Sequence, residues 1–261
     1  MLLKNKTAVV YGGGGPVGAA VAKAFAKEGA VVFIAGRTAI TLEKIVRDIV
    51  DDGGIAEMTV VDAYDKTQVV RHLDNIIAKT KSIDIFFNAV GIGGKHGLPL
   101  VAMDYEDFAL PVVNAMKAHF IASVTISNYM ARNGGGVILT ITANAARKPY
   151  PDIGGFGVAC AAIEGFCRQL AFEQGPHAVR VICLRSAGSP DTPGVDEVFN
   201  LHAANAGITR KEFDTAFAER TMLKKLPALA EVADAAVLMA SDKAAAVTAA
   251  VINITCGELA D

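Results

Sequence analysis

A run of glycines between a strand-like segment and a helical one narrows the possible folds of this chain more than any other feature. Residues 11–18 read Tyr-Gly-Gly-Gly-Gly-Pro-Val-Gly, preceded by the apolar run 7–11 and followed by a helical pattern over 17–28. Glycine permits a tight turn, lets backbone N–H groups approach a pyrophosphate, and allows a helix to pack closely on its strand. The helix behind the turn aims the positive end of its dipole at the same point. Such a turn belongs in a chain where strands and helices alternate, and the rest of the sequence supplies the alternation. Short Val- and Ile-rich runs at 31–35, 58–61, 83–88, 137–142, 180–184 and 251–254 predict strands buried on both faces. Helical patterns at 40–51, 66–80, 105–130, 157–174 and 230–241 lie between them, with Gly29 and Gly53 as C-terminal stops.

The fold expected from this order is α/β: a single Rossmann-type domain over residues 1–261, with a doubly wound, seven-stranded parallel sheet and helices on both faces. The 52% of apolar residues is enough for a large core at this length. One stretch breaks the rhythm. Residues 186–227 contain no strand pattern, and two short helical patterns (195–205 and 209–221) follow Pro190 and Pro193. A long excursion after a strand end is expected to cover a substrate site. The net charge of -2 provides no basic field, which argues against a nucleic-acid partner. No apolar run approaches membrane-spanning length, and residues 1–7 hold no apolar signal core, so a cytoplasmic protein is expected. Cys160, Cys167, Cys183 and Cys256 have neither zinc-site nor CxxC spacing; no metal is expected, and the thiols read as small buried hydrophobes.

The second strand ends Ile34-Ala35-Gly36-Arg37-Thr38. About twenty residues past a glycine turn, an acid would hydrogen-bond the ribose 2′-OH of NAD. Gly36 and Arg37 stand there instead. Nothing repels a 2′-phosphate, and Arg37 can clamp one, so NADP(H) is expected over NAD(H). Pro16 has no N–H to offer a phosphate, which leaves the close approach to Gly14 and Gly15.

With these residues in place, the chain resembles the short-chain dehydrogenase/reductase family, whose loop is Thr-Gly-x-x-x-Gly-x-Gly. Gly12 and Gly18 match, Tyr11 replaces the Thr and Pro16 the middle Gly. Val61-Asp62-Ala63 resembles the family's adenine-contacting element, and Asn88-Ala89-Val90-Gly91 its Asn-Asn-Ala-Gly turn. The resemblance implies a cofactor site built from Gly12, Gly14, Gly15, Val17, Gly18, Arg37, Thr38, Asp62, Ala63, Asn88, Ala89, Val90 and Gly91. It covers nearly all of the chain. It also implies a homotetramer or homodimer, with pairing through helices 105–130 and 157–174; Ala159, Ala161, Ala162 and Ala171 are the small residues expected to allow close approach.

Against that pattern, the positions of the family's catalytic Ser, Tyr and Lys hold Ala143, Phe156 and Cys160. Asn114 matches the family's remaining proton-relay residue. Phenylalanine keeps the ring and loses the hydroxyl, and cysteine loses the cation; removal of general acid–base help costs about 10²–10⁴-fold. Substitutes nearby are Tyr150 and Lys148, in the loop leading to the site. Arg185, where the family has a Pro-Gly turn nearby, would place a cation among the substrate-pocket residues Ala143, Phe156 and Cys160. Thr142, one residue before Ala143, should point away from the site because a strand alternates faces. His96 and His119 read as structural. Three functions stay open: a divergent oxidoreductase acting on a C=C, C=N or C=O bond of a small organic substrate; a catalytically inactive nucleotide-sensing subunit; and a non-redox lyase, cyclase or isomerase.

Overall fold

The computed structural model describes residues 1–260; Asp261, the last residue of the expected domain, lies outside the described residues. Among the described residues, seven strands form one sheet: β1 (Thr7–Tyr11), β2 (Val31–Gly36), β3 (Ile55–Val60), β4 (Ile85–Asn88), β5 (Gly136–Ala143), β6 (Val179–Ser186) and β7 (Ala250–Ile254). The spatial order is β3-β2-β1-β4-β5-β6-β7, with each neighbouring pair parallel. The helices that cross between them are α1 (Pro16–Lys27), α2 (Ala39–Asp51), α3 (Lys66–Thr80), α4 (Tyr105–Arg132), α5 (Phe156–Gln174), α6 (Pro193–Asn205), α7 (Arg210–Glu219) and α8 (Leu229–Ala240). Two apolar clusters sandwich the sheet. One places Phe86, Ile138 and Val181 against α3, α4 and α5; the other places Val10, Ile34 and Leu184 against α1, α2 and α8.

The strand order reverses between β1 and β4, whose C-terminal residues Tyr11 and Asn88 pair directly. Ligands of such sheets bind in the crevice outside the strand ends at this point. The edge strand β3 begins three residues earlier than its apolar run suggested. Its exposed Ile55 and Glu57 alternate with half-buried Ala56 and Met58, because successive side chains point to opposite faces of the sheet and one face of this strand is more covered than the other. Thr209 caps α7 rather than belonging to it: its hydroxyl accepts from the Glu212 N–H while the Glu212 carboxylate accepts from the Thr209 N–H.

By length and composition only, α4, at 28 residues, is long and apolar enough for a membrane span. In this fold it is a core helix, burying Ala115, Ala118, His119, Ala122 and Ile126. The four alanines expected at a helix-pairing face also divide: Ala159 and Ala171 are buried in the core, and Ala161 is exposed. The solvent face of α4 and α5 carries Val113, Phe120, Val158 and Phe172 instead.

Between β6 and α8, the excursion folds as α6 and α7 around a small aromatic core. Phe213 and Phe217 lie 4.5 Å apart between ring centroids, and Phe199 meets Phe213 edge-on at 5.2 Å.

Candidate active site

At the switch point lies a cleft of about 490 Å³, lined by the glycine turn, the end of β2, the Asp62–Tyr64 segment and Ala89–Gly91. Two of its glycines are required by close contact. Gly12 has φ +72°, and a Cβ there would lie 2.2 Å from the Ala89 carbonyl oxygen; a Cβ on Gly18 would lie 2.3 Å from the Gly12 oxygen. Gly15 is the N-cap of α1 and supplies no side-chain cap, and Pro16 occupies the first turn, where its missing N–H costs no helical bond. The N–H groups of Val17 and Gly18 lack an acceptor inside the helix, as first-turn donors do, and they open on the cleft. Gly12, Gly14, Gly15, Val17, Gly18, Arg37, Thr38, Asp62, Ala63, Ala89, Val90 and Gly91 all line this space.

Arg37 stands exposed at the rim, with no hydrogen bond or ion pair among the described residues. Tyr64, half-buried near Arg37, lines the cleft as well and was not foreseen. The Tyr64 N–H donates to Asp62 Oδ1 at 3.0 Å, so one carboxylate oxygen holds the turn. Asn88 does not line the cleft. It is fully buried, its Oδ1 accepts from the Val90 N–H at 3.2 Å, and its Nδ2 has no partner. Tyr11 is buried beneath the turn with its hydroxyl 3.0 Å from His72 Nδ1; burial pushes the phenol up and His72 down to about 4.

A second cleft of about 250 Å³ continues from the first through the shared residues Val17, Ala89, Val90 and Gly91. Its walls include Ile92, Ile141, Ala143, Phe156, Cys160 and Ile163 from the body, Ser186–Ser189, Thr192 and Val195 from the excursion, and Leu229 and Val232 from α8. No Asp, Glu, Lys or Arg is among its lining residues. Burial pushes the Cys160 thiol up to about 12, which leaves it protonated and a poor nucleophile. Five polar side chains in this lining were not singled out from the sequence as site residues: His119 from α4, Thr142, Ser186, Ser189, and Thr192, whose buried hydroxyl has no hydrogen-bond partner. His119 occurs in the same helical register as buried Ala115 and Ala122, which was the available signal.

Four expected contributors sit elsewhere. Arg185 does not reach the substrate space: it is buried under α5, with Nε and Nη2 each 2.8 Å from a carboxylate oxygen of Glu164. It pairs in register with Thr142, and its bonds to Glu164 of α5 hold it out of the cleft lining. Thr142, expected to point away from the site, lines the second cleft as well, and its hydroxyl donates to Glu164 Oε1 at 3.2 Å. Tyr150 is absent from the cleft lining. Its hydroxyl donates to Glu258 Oε1 at 2.8 Å and accepts from Asn144 Nδ2 at 2.7 Å, and its ring stacks on Phe217. Burial and the Glu258 carboxylate push that phenol well above its ordinary range. Lys148 is spent on the same carboxylate at 2.8 Å. Asn114 is half-buried and donates through Nδ2 to the Ile92 carbonyl at 3.3 Å, tying α4 to the loop after β4 rather than lining the cleft.

Comparison with known proteins follows this geometry. The family model described as Enoyl-(Acyl carrier protein) reductase matches residues 15–258. The chain is 31% identical to the uncharacterized oxidoreductase YxbG of Bacillus subtilis, over 99% of this chain and 92% of that protein. It is 27% identical to the 7alpha-hydroxysteroid dehydrogenase of Escherichia coli, over 98% and 94%. Among solved structures, NAD+-bound xylitol dehydrogenase superposes with a TM-score of 0.91 at 20% identity, covering 97% of this chain and 99% of that one.

Proposed function

The chain belongs to the short-chain dehydrogenase/reductase family, and on that premise we propose that it is an NADP(H)-dependent oxidoreductase with an atypical, apolar reaction site. The observation that carries this reading is the continuity of the two clefts: a glycine-lined, helix-dipole-facing channel opens directly into an uncharged chamber. A dinucleotide fits the donor set. Its pyrophosphate would meet the N–H groups of Val17 and Gly18, its adenosine end Asp62 and Ala63, and its 2′-phosphate Arg37. The orphaned Thr192 hydroxyl stands at the far end, available to a polar group on the nicotinamide. When bound, the nucleotide supplies or accepts a hydride.

The substrate in this reading is a small uncharged organic molecule. An anion or cation entering the second cleft would find no counter-charge there, and desolvating it would cost several kcal/mol. Ala143, Phe156 and Cys160 are proposed to shape the chamber in place of the Ser, Tyr and Lys implied by the resemblance. The excursion at 186–227 is proposed as its cover, since Gly188, Ser189, Thr192 and Val195 wall the chamber. We further propose a cytoplasmic homotetramer or homodimer, in which the exposed Val113, Phe120, Val158 and Phe172 meet a second copy.

The first experiment is a fluorescence titration with NADPH and NADH; the chain has no Trp to interfere. NADPH is expected to saturate at lower concentration than NADH. Arg37→Ala is expected to weaken NADPH by about 10–100-fold, the worth of a charge-assisted hydrogen bond, and leave NADH unchanged. Failure of both nucleotides to bind at high micromolar protein overturns the reading.

A further inference from the structure

The second cleft has an apolar lining and a single nitrogen base. His119 projects from the buried face of α4, is 2% exposed, and borders this space. Its Nδ1 lies 3.2 Å from Thr140 Oγ1, and that hydroxyl lies 3.4 Å from the Asn88 carbonyl oxygen. The order of donors follows from the count of protons. A threonine hydroxyl has one hydrogen, and a carbonyl can only accept. With the Thr140 proton directed to Asn88, Thr140 accepts from His119 Nδ1–H. The ring is then the Nδ1-protonated tautomer, with its lone pair on Nε2. Nε2 has no hydrogen-bond partner among the described residues.

Cys160 is the other titratable side chain of this lining. The buried ion pair of Glu164 and Arg185 lies behind the lining residue Thr142, and neither charged group is part of the lining. Burial holds His119 down at about 4, so the ring is neutral, with its Nε2 lone pair unprotonated, across the physiological range.

We propose that His119 is a catalytic residue of this cleft, the base that takes the hydroxyl proton of a bound secondary alcohol at Nε2. The proposal rests on the oxidoreductase reading. In the step, the alcohol O–H breaks and its electron pair becomes the second bond of the carbonyl. The carbinol C–H leaves as hydride to the oxidised nucleotide, and the proton sits on Nε2 until it passes to water after product departs. The electron count closes: two electrons leave the alcohol with the hydride, and one proton is carried by the ring. The direction favoured is oxidation, because an empty-cleft imidazolium forms only in acid.

The test combines activity with a measurement that needs no substrate. Nitrogen NMR of the full-length protein at neutral pH is expected to show His119 protonated at Nδ1; protonation at Nε2 overturns the proposal. With NADP+ and a panel of apolar secondary alcohols, His119→Phe is expected to lower kcat by about 10²–10⁴-fold while nucleotide affinity is unchanged. His119→Asn, which keeps a donor toward Thr140 and removes Nε2, is expected to be equally slow, separating proton transfer from packing. The wild-type kcat is expected to fall in acid as Nε2 becomes protonated, a limb that both variants lack. Variants that match wild-type kcat and pH profile overturn the role of His119 and leave the oxidoreductase reading intact. A wild type that binds no dinucleotide overturns that reading, and with it the alcohol-oxidation step.

Discussion

The two clefts are built by opposite means. The glycine-lined cleft is made largely of backbone: glycines that admit close approach, first-turn N–H groups, and one cation on its rim. The chamber beside it is made of side chains, most of them apolar, and is walled in part by an excursion with its own aromatic core. Backbone donors survive most substitutions, because every residue except proline carries one. Side-chain chemistry disappears with a single replacement, and Ala143, Phe156 and Cys160 carry no strongly acidic or basic group. One region can therefore keep a recognisable function while its neighbour changes chemistry.

The largest break in this comparison is expected from Gly12→Val. The positive φ and the 2.2 Å approach of the Ala89 oxygen leave no room for a branched side chain. Dinucleotide binding is expected to vanish in the titration, and the protein to lose stability by several kcal/mol in urea unfolding.

Next in size is a gain. The combined replacement Ala143→Ser, Phe156→Tyr and Cys160→Lys restores the hydroxyls and the cation implied by the resemblance. Ketone reduction, followed by NADPH absorbance, is expected to rise by about 10²–10⁴-fold. No gain would mean that the chamber walls, and not the missing groups, set the chemistry.

Acid should weaken the two regions alike. His72, under the nucleotide turn, and His119, in the chamber, each have a folded value of about 4 against 6.5 when unfolded. Their folded values are depressed, so the unfolded chain binds protons first as pH falls. The stability is present above pH 6.5 and is lost as pH falls from 6.5 toward 4, by about 3 kcal/mol for each group. Denaturant unfolding across this window is expected to show the decline, and His72→Phe or His119→Phe to halve its slope.

The smallest effect is expected from Tyr150→Phe. With its hydroxyl held by Glu258 and Asn144, outside the chamber lining, its loss is expected to leave turnover within about twofold. Melting is expected to shift by a few degrees, because one partner of a buried carboxylate is lost. A large drop in turnover would return Tyr150 to the chemistry.

Several features were legible in the residues alone. The alternation of apolar runs with helical patterns dictated the doubly wound sheet, because burial on both faces and helical amphipathicity are local, periodic properties. The glycine turn announced its own position, since the backbone geometry it needs excludes nearly every other residue. Arg37 was readable from its distance past that turn. β3 was read short because its exposed Glu57 interrupts the apolar run that marks a buried strand.

What the tertiary structure alone decided is where side chains point once helices dock. Arg185 was legible as a cation at a strand end; only the packing of α5 over β6 turned it into the buried partner of Glu164. Tyr150 was legible as a phenol near the site, and the return of residues 254–260 across the loop claimed its hydroxyl for Glu258. His119 gave no motif at all. Its place at the chamber wall depends on the rotation of α4 about its axis, and that rotation is set by contacts with β5 and α5 far away in sequence.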